Sequence, residues 1–215
     1  MHFLAHSENT AGQPHLLKDH LCSVGALARR FAEVANPLLA EPAQWAGMLH
    51  DLGKYRDEFQ SYLRHEREGS IETHHAVYGA ALAFQRHWPG LAFAIAGHHA
   101  GLHDLSQLQN FVNDTRYKAA DRLPQLLEQF TAEVRPLDEQ FAEPSFNHGQ
   151  RKQAEIYMRM LFSALVDADF LDTEAHYTGA LRVTSAFKPD ELMGLRFKGL
   201  SPSSDYFLEW LALHG

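Results

Sequence analysis

His50-Asp51-Leu52-Gly53-Lys54 closes an apolar helical run whose core face is Trp45, Met48, Leu49 and Leu52. The dipeptide sets an imidazole and a carboxylate side by side at the edge of a core. A buried carboxylate is costly unless it is paired or bound to a metal ion. A single His-Asp pair at a solvated helix end, with Gly53 as C-cap, would need no such explanation. Here the same residue types recur. His20 falls on the stripe of Leu17, Leu21, Val24, Ala28 and Phe31. His74-His75 opens a third helix, with Gly79 four positions after His75. His98-His99 follows the wholly apolar segment 91–97, where each ring needs partners. Asp167 and Asp169 lie in the most apolar helix of the chain, where an uncompensated aspartate would be strongly destabilising. Histidines or aspartates thus occupy the core faces of five helical segments, and a shared metal centre accounts for all of them.

Working outward, the apolar period is helical almost throughout, which predicts an all-α fold. The first helix ends at Asn36-Pro37, because a residue before proline avoids the helical region. Pro42 suits the first turn of a second helix, which can run on through Tyr55, Phe59 and Tyr62 with Gly53 as its weak point. The third helix spans 74–87 and stops at Trp88-Pro89-Gly90. Residues 105–134 read as one or two helices broken near Pro124, and 133–149 as loop. Residues 150–173 form a long helix, apolar on nearly every face at Met160, Leu161, Phe162, Leu165, Val166, Phe170 and Leu171, and so expected to be buried on most sides. Residues 182–202 read as loop and 206–213 as a short amphipathic helix, an ending expected of a piece of a longer protein.

Composition narrows the function classes. The 215 residues are 45% hydrophobic, enough for one domain with a real core. One cysteine, Cys22, excludes an internal disulfide and suits a reducing, cytoplasmic setting. No apolar run reaches membrane-spanning length, and residues 1–13 contain no signal-peptide core, so no membrane partner is expected. The net charge of −8 gives no global attraction for nucleic acid, which would have to come from a local patch, bound metal or a partner. Arg29, Arg30, Arg64, Arg67 and Arg86 are candidates for such a groove, although solvated helix faces explain each of them singly. The chain has no GxxxxGK[ST] loop and is not itself an ATPase. The 15 histidines are the compositional anomaly.

Imidazole with carboxylate and no thiolate suits manganese, iron, cobalt, nickel or zinc, and argues against a site built for magnesium alone. The candidates exceed the four ligands usual at one zinc site. Two ions bridged by Asp51 would use them, and paired ions roughly 3.5–4 Å apart can hold the attacking and leaving oxygens of an in-line displacement. That is the chemistry of phosphodiester hydrolysis. Lys54, a turn after His50, could offset phosphate charge, although a solvated helix-end lysine has the same spacing.

The order His20, His50-Asp51-x-Gly-Lys54, His75-Ala-Val-Tyr-Gly79, His98-His99 and Asp167-Ala-Asp169 resembles the HD nuclease domain of the CRISPR-associated type I nuclease–helicase. The resemblance covers residues 1 to about 175, with 176–215 as an extension of the same domain leading towards a helicase part. It implies an HD helical bundle with a metal site in its core. His20, His50, Asp51 and Asp169 would hold one ion, and Asp51, His75, His98 and His99 the second. Asp51 and Lys54 would be the catalytic residues, with Lys54 beside the scissile phosphate. Asp169 is chosen over Asp167 on the family pattern; periodicity leaves both open. His75 is chosen over His74 because it has the family's glycine four positions on. The implied substrate is single-stranded DNA. The implied partners are a superfamily 2 helicase, as domain or subunit, and an RNA-guided surveillance complex. The rival readings are an HD phosphohydrolase acting on a small nucleotide and a non-enzymatic HD-like module that binds a partner protein or a regulatory nucleotide; a degenerate module would be expected to lose ligands, and all the expected ligands are present here.

Overall fold

Residues 2–180 are described by the structure, a computed structural model. The segments read above as a loop at 182–202 and a helix at 206–213 lie outside the described residues. Eight α-helices carry the described residues: α1 (Leu17–Ala35), α2 (Ala40–Leu49), α3 (Asp57–Leu63), α4 (Ala76–Gln85), α5 (Pro89–Gly97), α6 (Leu105–Val112), α7 (Ala119–Glu133) and α8 (Arg151–Thr178). Among the described residues, the one feature outside the all-α expectation is an antiparallel ribbon of β1 (Leu4–His6) and β2 (His15–Leu16), paired Leu4 with Leu16 and His6 with His15. It is too short to show a period of two, so the sequence carries no strand signal there. No helix of the described residues is long and apolar enough to cross a membrane.

Helices α1, α2, α4, α5 and α8 enclose the core. On α1, Leu17, Leu21, Val24, Ala28 and Ala32 are buried, the 3.6-residue stripe expected of an amphipathic helix. The helix ends where expected: Asn36 is extended, and its side chain accepts from the Leu38 amide at 3.0 Å. Every residue of α5 is buried, with Leu91, Phe93 and Ile95 at 1% exposure or less. Each of those side chains contributes roughly 2 kcal/mol by leaving water. The helix is therefore pinned, and so are the two histidines that follow it.

Three expectations need correction. The second helix does not continue to Tyr62. It stops at Leu49, gives way to a 3-10 turn over Leu52–Tyr55, and resumes as α3. Asp51 itself leaves the helical conformation (φ −106°, ψ 19°). Between α6 and α7 the break falls at residues 113–118 rather than at Pro124, which sits inside α7. Pro124 is on the exposed side, as is Ala120, whose carbonyl loses its helical partner, so water can replace that bond. Finally, α8 is buried along one side only, at Ala154, Tyr157, Leu161, Ala164, Leu165, Ala168, Leu171 and Asp172. Ile156 and Phe170 remain 57% and 60% exposed.

Candidate metal centre

The breaks in the helices build the site. Helix α2 ends at Leu49, so His50 and Asp51 follow its last turn into the space between α1, α4, α5 and α8. Two glycines hold this corner against α4. A Cβ on Gly53 would lie 2.8 Å from the Cα of His75, and one on Gly79 would collide with the Leu49 carbonyl and reach Ile95 at 3.2 Å. Neither position has room for a side chain, and the two contacts lock the His50-Asp51 turn to the segment carrying His75.

Seven residues named from the sequence converge here. Asp51 is the hub, buried to 1% exposure. Its Oδ2 lies 3.3 Å from both His20 Nε2 and His50 Nε2. Its Oδ1 lies 3.0 Å from His75 Nε2 and 3.8 Å from His98 Nε2. Asp169 Oδ1 is 3.4 Å from His20 Nε2 and 3.5 Å from His50 Nε2. His75 and His99 bring their Nε2 atoms to 2.9 Å. The donors thus form overlapping sets, His20, His50 and Asp51 with Asp169 on one side and Asp51, His75, His98 and His99 on the other. One oxygen of Asp51 serves each set. Asp167, by contrast, is exposed, and its carboxyl pairs with Ser163. His74 turns away to the Tyr117 hydroxyl, at 2.9 Å.

The rings are aimed. His50 Nδ1 donates to the Gly47 carbonyl and His98 Nδ1 to the Ile95 carbonyl, both at 2.7 Å. His20 Nδ1 donates to Asp172 Oδ2, also at 2.7 Å. Fixing the Nδ1 proton leaves Nε2 as the free donor atom, the usual outer arrangement around a metal-binding imidazole. The Nε2 atoms of His20, His50 and His98 are buried without an aligned hydrogen bond. Three orphaned imidazole nitrogens around one carboxylate are a large cost in a metal-free protein and a fitted donor set for divalent ions.

Electrostatics separate the two sides. Burial disfavours the His20 imidazolium, but Asp169, Asp172 and Asp51 outweigh it and raise its pKa to about 9. Burial likewise opposes charge on His50, and Asp51 and Asp169 raise it to about 10. On the other side burial prevails over Asp51, lowering His75 to about 4, and burial with the neighbouring His98 and His75 lowers His99 to about 3. Burial alone would raise the Asp51 carboxyl, yet His50, Lys54 and His75 hold it well below its ordinary range.

Lys54 is buried at 5% exposure, its ammonium 2.6 Å from Asp51 Oδ2 and donating to the Ala5 carbonyl at 3.1 Å. The solvated reading of this residue is therefore wrong. Lys54 joins the ribbon to the hub and lines an open cleft of about 260 Å³ together with His6, His98, His99, Asp169 and Phe170. None of Arg29, Arg30, Arg64, Arg67 and Arg86 lines that cleft.

A histidine tier above His20 escaped the sequence reading. His15 Nε2 lies 3.3 Å from Asp172 Oδ2, His6 and His15 bring their Nδ1 atoms to 3.1 Å, and His176 stacks on His15 at 4.5 Å between centroids. Asp172 joins this tier from α8, contacting both His15 and His20. The available signal was its spacing, one turn beyond Asp169 on the same helix.

Residues 17–133 match the family model described as HD domain, more than half of the chain. The match contains His20, His50, Asp51, Lys54, His75, His98 and His99, while Asp169 and Asp172 lie beyond it. No curated protein matches the chain.

Proposed function

The chain belongs to the HD domain family of metal-dependent phosphohydrolases, and from that premise we propose that it cuts the phosphodiester bonds of single-stranded DNA, as the nuclease of a type I CRISPR system. The observation that carries this reading is the division of one buried carboxylate, Asp51, between two sets of donors beside an open cleft. His20, His50, Asp51 and Asp169 would hold one divalent ion, and Asp51, His75, His98 and His99 the other. When bound, such ions supply Lewis acidity at the phosphate and make a water acidic enough to attack near neutral pH. Manganese, iron, cobalt, nickel and zinc fit the donors better than magnesium does.

The chain's own residues supply the rest. Asp51 keeps both donor sets in register. Lys54 places a cation at the cleft, where charge on a phosphate increases during displacement. The Nδ1 anchors of His20, His50 and His98 keep the rings from turning. An open groove suits a polymer, where a small-nucleotide phosphohydrolase would enclose its substrate. Among the described residues no arginine lines the cleft, and the chain is acidic, so a helicase partner delivering the displaced strand of an RNA-guided complex completes the reading.

The test is a circular single-stranded DNA incubated with the protein in EDTA or with manganese, cobalt, nickel or magnesium, beside Asp51→Ala. Metal-dependent linearisation by the wild type alone supports the nuclease. An intact circle with stoichiometric metal bound removes that reading and favours a small-nucleotide phosphohydrolase. An intact circle with no metal bound points to a binding module.

A further inference from the structure

Helix α8 presents its ligand-bearing face and, beside it, a face that the core of the described residues leaves largely uncovered. Val166, Phe170, Thr173 and Tyr177 follow one another at steps of four, three and four residues, which places them along one side of the helix. Val166, Phe170 and Thr173 line the cleft over the metal centre. Phe170 immediately follows Asp169 in the chain, yet its ring is 60% exposed. Tyr177 is 42% exposed; its ring meets those of His176 at 4.9 Å and His6 at 6.2 Å, and its hydroxyl lies 3.5 Å from Ser7 Oγ. The two aromatic rings are seven residues apart, about 10 Å along the helix axis. The exposed part of Phe170 gains nothing from folding and is open to a ligand at the mouth of the charged site.

We propose that Phe170 and Tyr177 form a stacking track for unpaired nucleobases, leading a single strand along α8 into the cleft. The inference rests on the reading of the substrate as a nucleic-acid strand. A strand whose phosphate sits at Asp51 and Asp169 has its neighbouring nucleoside beside Phe170. The charge distribution favours the same occupant. Lys54 is the cation among the described residues lining the cleft, and it is already paired with Asp51. With a net charge of −8, the chain has little general attraction for phosphates, so beyond what bound metal supplies the bases are the remaining source of affinity. Base–aromatic stacking needs no net charge and tolerates any sequence.

The test compares cleavage of oligothymidylate with cleavage of an equally long strand of abasic residues, in manganese, by wild type, Phe170→Ala, Phe170→Trp and Tyr177→Ala. The wild type should prefer the base-bearing strand. Phe170→Ala should lower kcat/KM on oligothymidylate about 5- to 150-fold, the range expected for one lost base stack. Its loss should not add to that caused by removing the bases, because ring and base act as one pair. Phe170→Trp should retain the preference, and Tyr177→Ala should lose part of it. Equal cleavage of both strands by the wild type, or equal slowing of both by Phe170→Ala, overturns the stacking track while leaving the nuclease reading standing. If the wild type cuts neither strand, the nuclease reading and the track fail together.

Discussion

Asp172 Oδ2 accepts the Nδ1 proton of His20 at 2.7 Å, while Asp169, one turn earlier on α8, faces the other nitrogen of that ring at 3.4 Å. The two aspartates thus act on opposite ends of one imidazole. Asp172 is buried and its carboxyl is held below its usual range: burial would raise it, and His20, Ser23 and His15 together outweigh this. Replacing Asp172 with Asn keeps the shape and removes the charge. Metal affinity should fall about 10- to 100-fold, as for other carboxylates behind a metal-bound histidine. Titration of the chelator-stripped protein with manganese measures it, and an unchanged affinity would show that His20 needs no such anchor.

Asp51 is the residue whose removal should cost the most. Asp51→Ala takes away the oxygen facing each donor set and leaves the Lys54 ammonium buried without its 2.6 Å partner. Metal content should drop at both sets together, and turnover with it. Breaking a buried pair from one side costs about 3–5 kcal/mol, so a lower melting temperature should accompany the loss. Asp51→Asn, which keeps the volume, separates the two effects. Metal analysis after gel filtration decides the matter, and one full equivalent retained by Asp51→Asn would mean that the donor sets do not depend on a shared carboxylate.

Gly79 had only a pattern to recommend it in the sequence, four positions after His75. In the fold it is the point where α4 touches the end of α2, with no space for a methyl group between it and Leu49. Gly79→Ala should destabilise the domain by about 1–3 kcal/mol, the usual range for overpacking. It should also disturb metal binding, because the displaced carbonyl is next to His50. A denaturant melt with and without manganese tests both parts; a stability loss that leaves metal affinity untouched would confine Gly79 to packing.

The legible part of the site was the part that broke a rule. His20 interrupts an apolar stripe, His98 and His99 follow a helix without a polar residue, and Asp51 ends a core face; each is conspicuous because burial demands a partner. Asp172 broke no rule, since an aspartate near a helix end is commonplace. His6 and His15 sit in a ribbon too short for periodicity to show. Phe170 was read as core because hydrophobicity on several faces of α8 does not reveal which side faces the protein. The turn after His50 depended on tertiary contact, with Gly53 pressed on the His75 backbone, and local preference alone left a continuous helix possible.

Glu143 gives a pH dependence away from the metal centre. Its carboxyl accepts from the amides of Gly90 and Leu91, each at 2.8 Å, and from the Tyr157 hydroxyl at 3.2 Å, so it caps the helix that carries His98 and His99. Burial outweighs these three bonds and raises its pKa from the usual 4.5 to about 7. The folded chain therefore keeps a proton that the unfolded chain releases. Stability from this group is complete below about pH 4.5 and is lost as pH rises through about 7. Glu143→Gln cannot ionise and should escape that loss. Its stability relative to wild type should improve between pH 5 and pH 8, by up to about 3 kcal/mol. Denaturant melts of both proteins across that range measure the difference. A gap that stays constant with pH would show that Glu143 ionises in the fold as it does in water, and that its capping bonds offset the whole cost of burial.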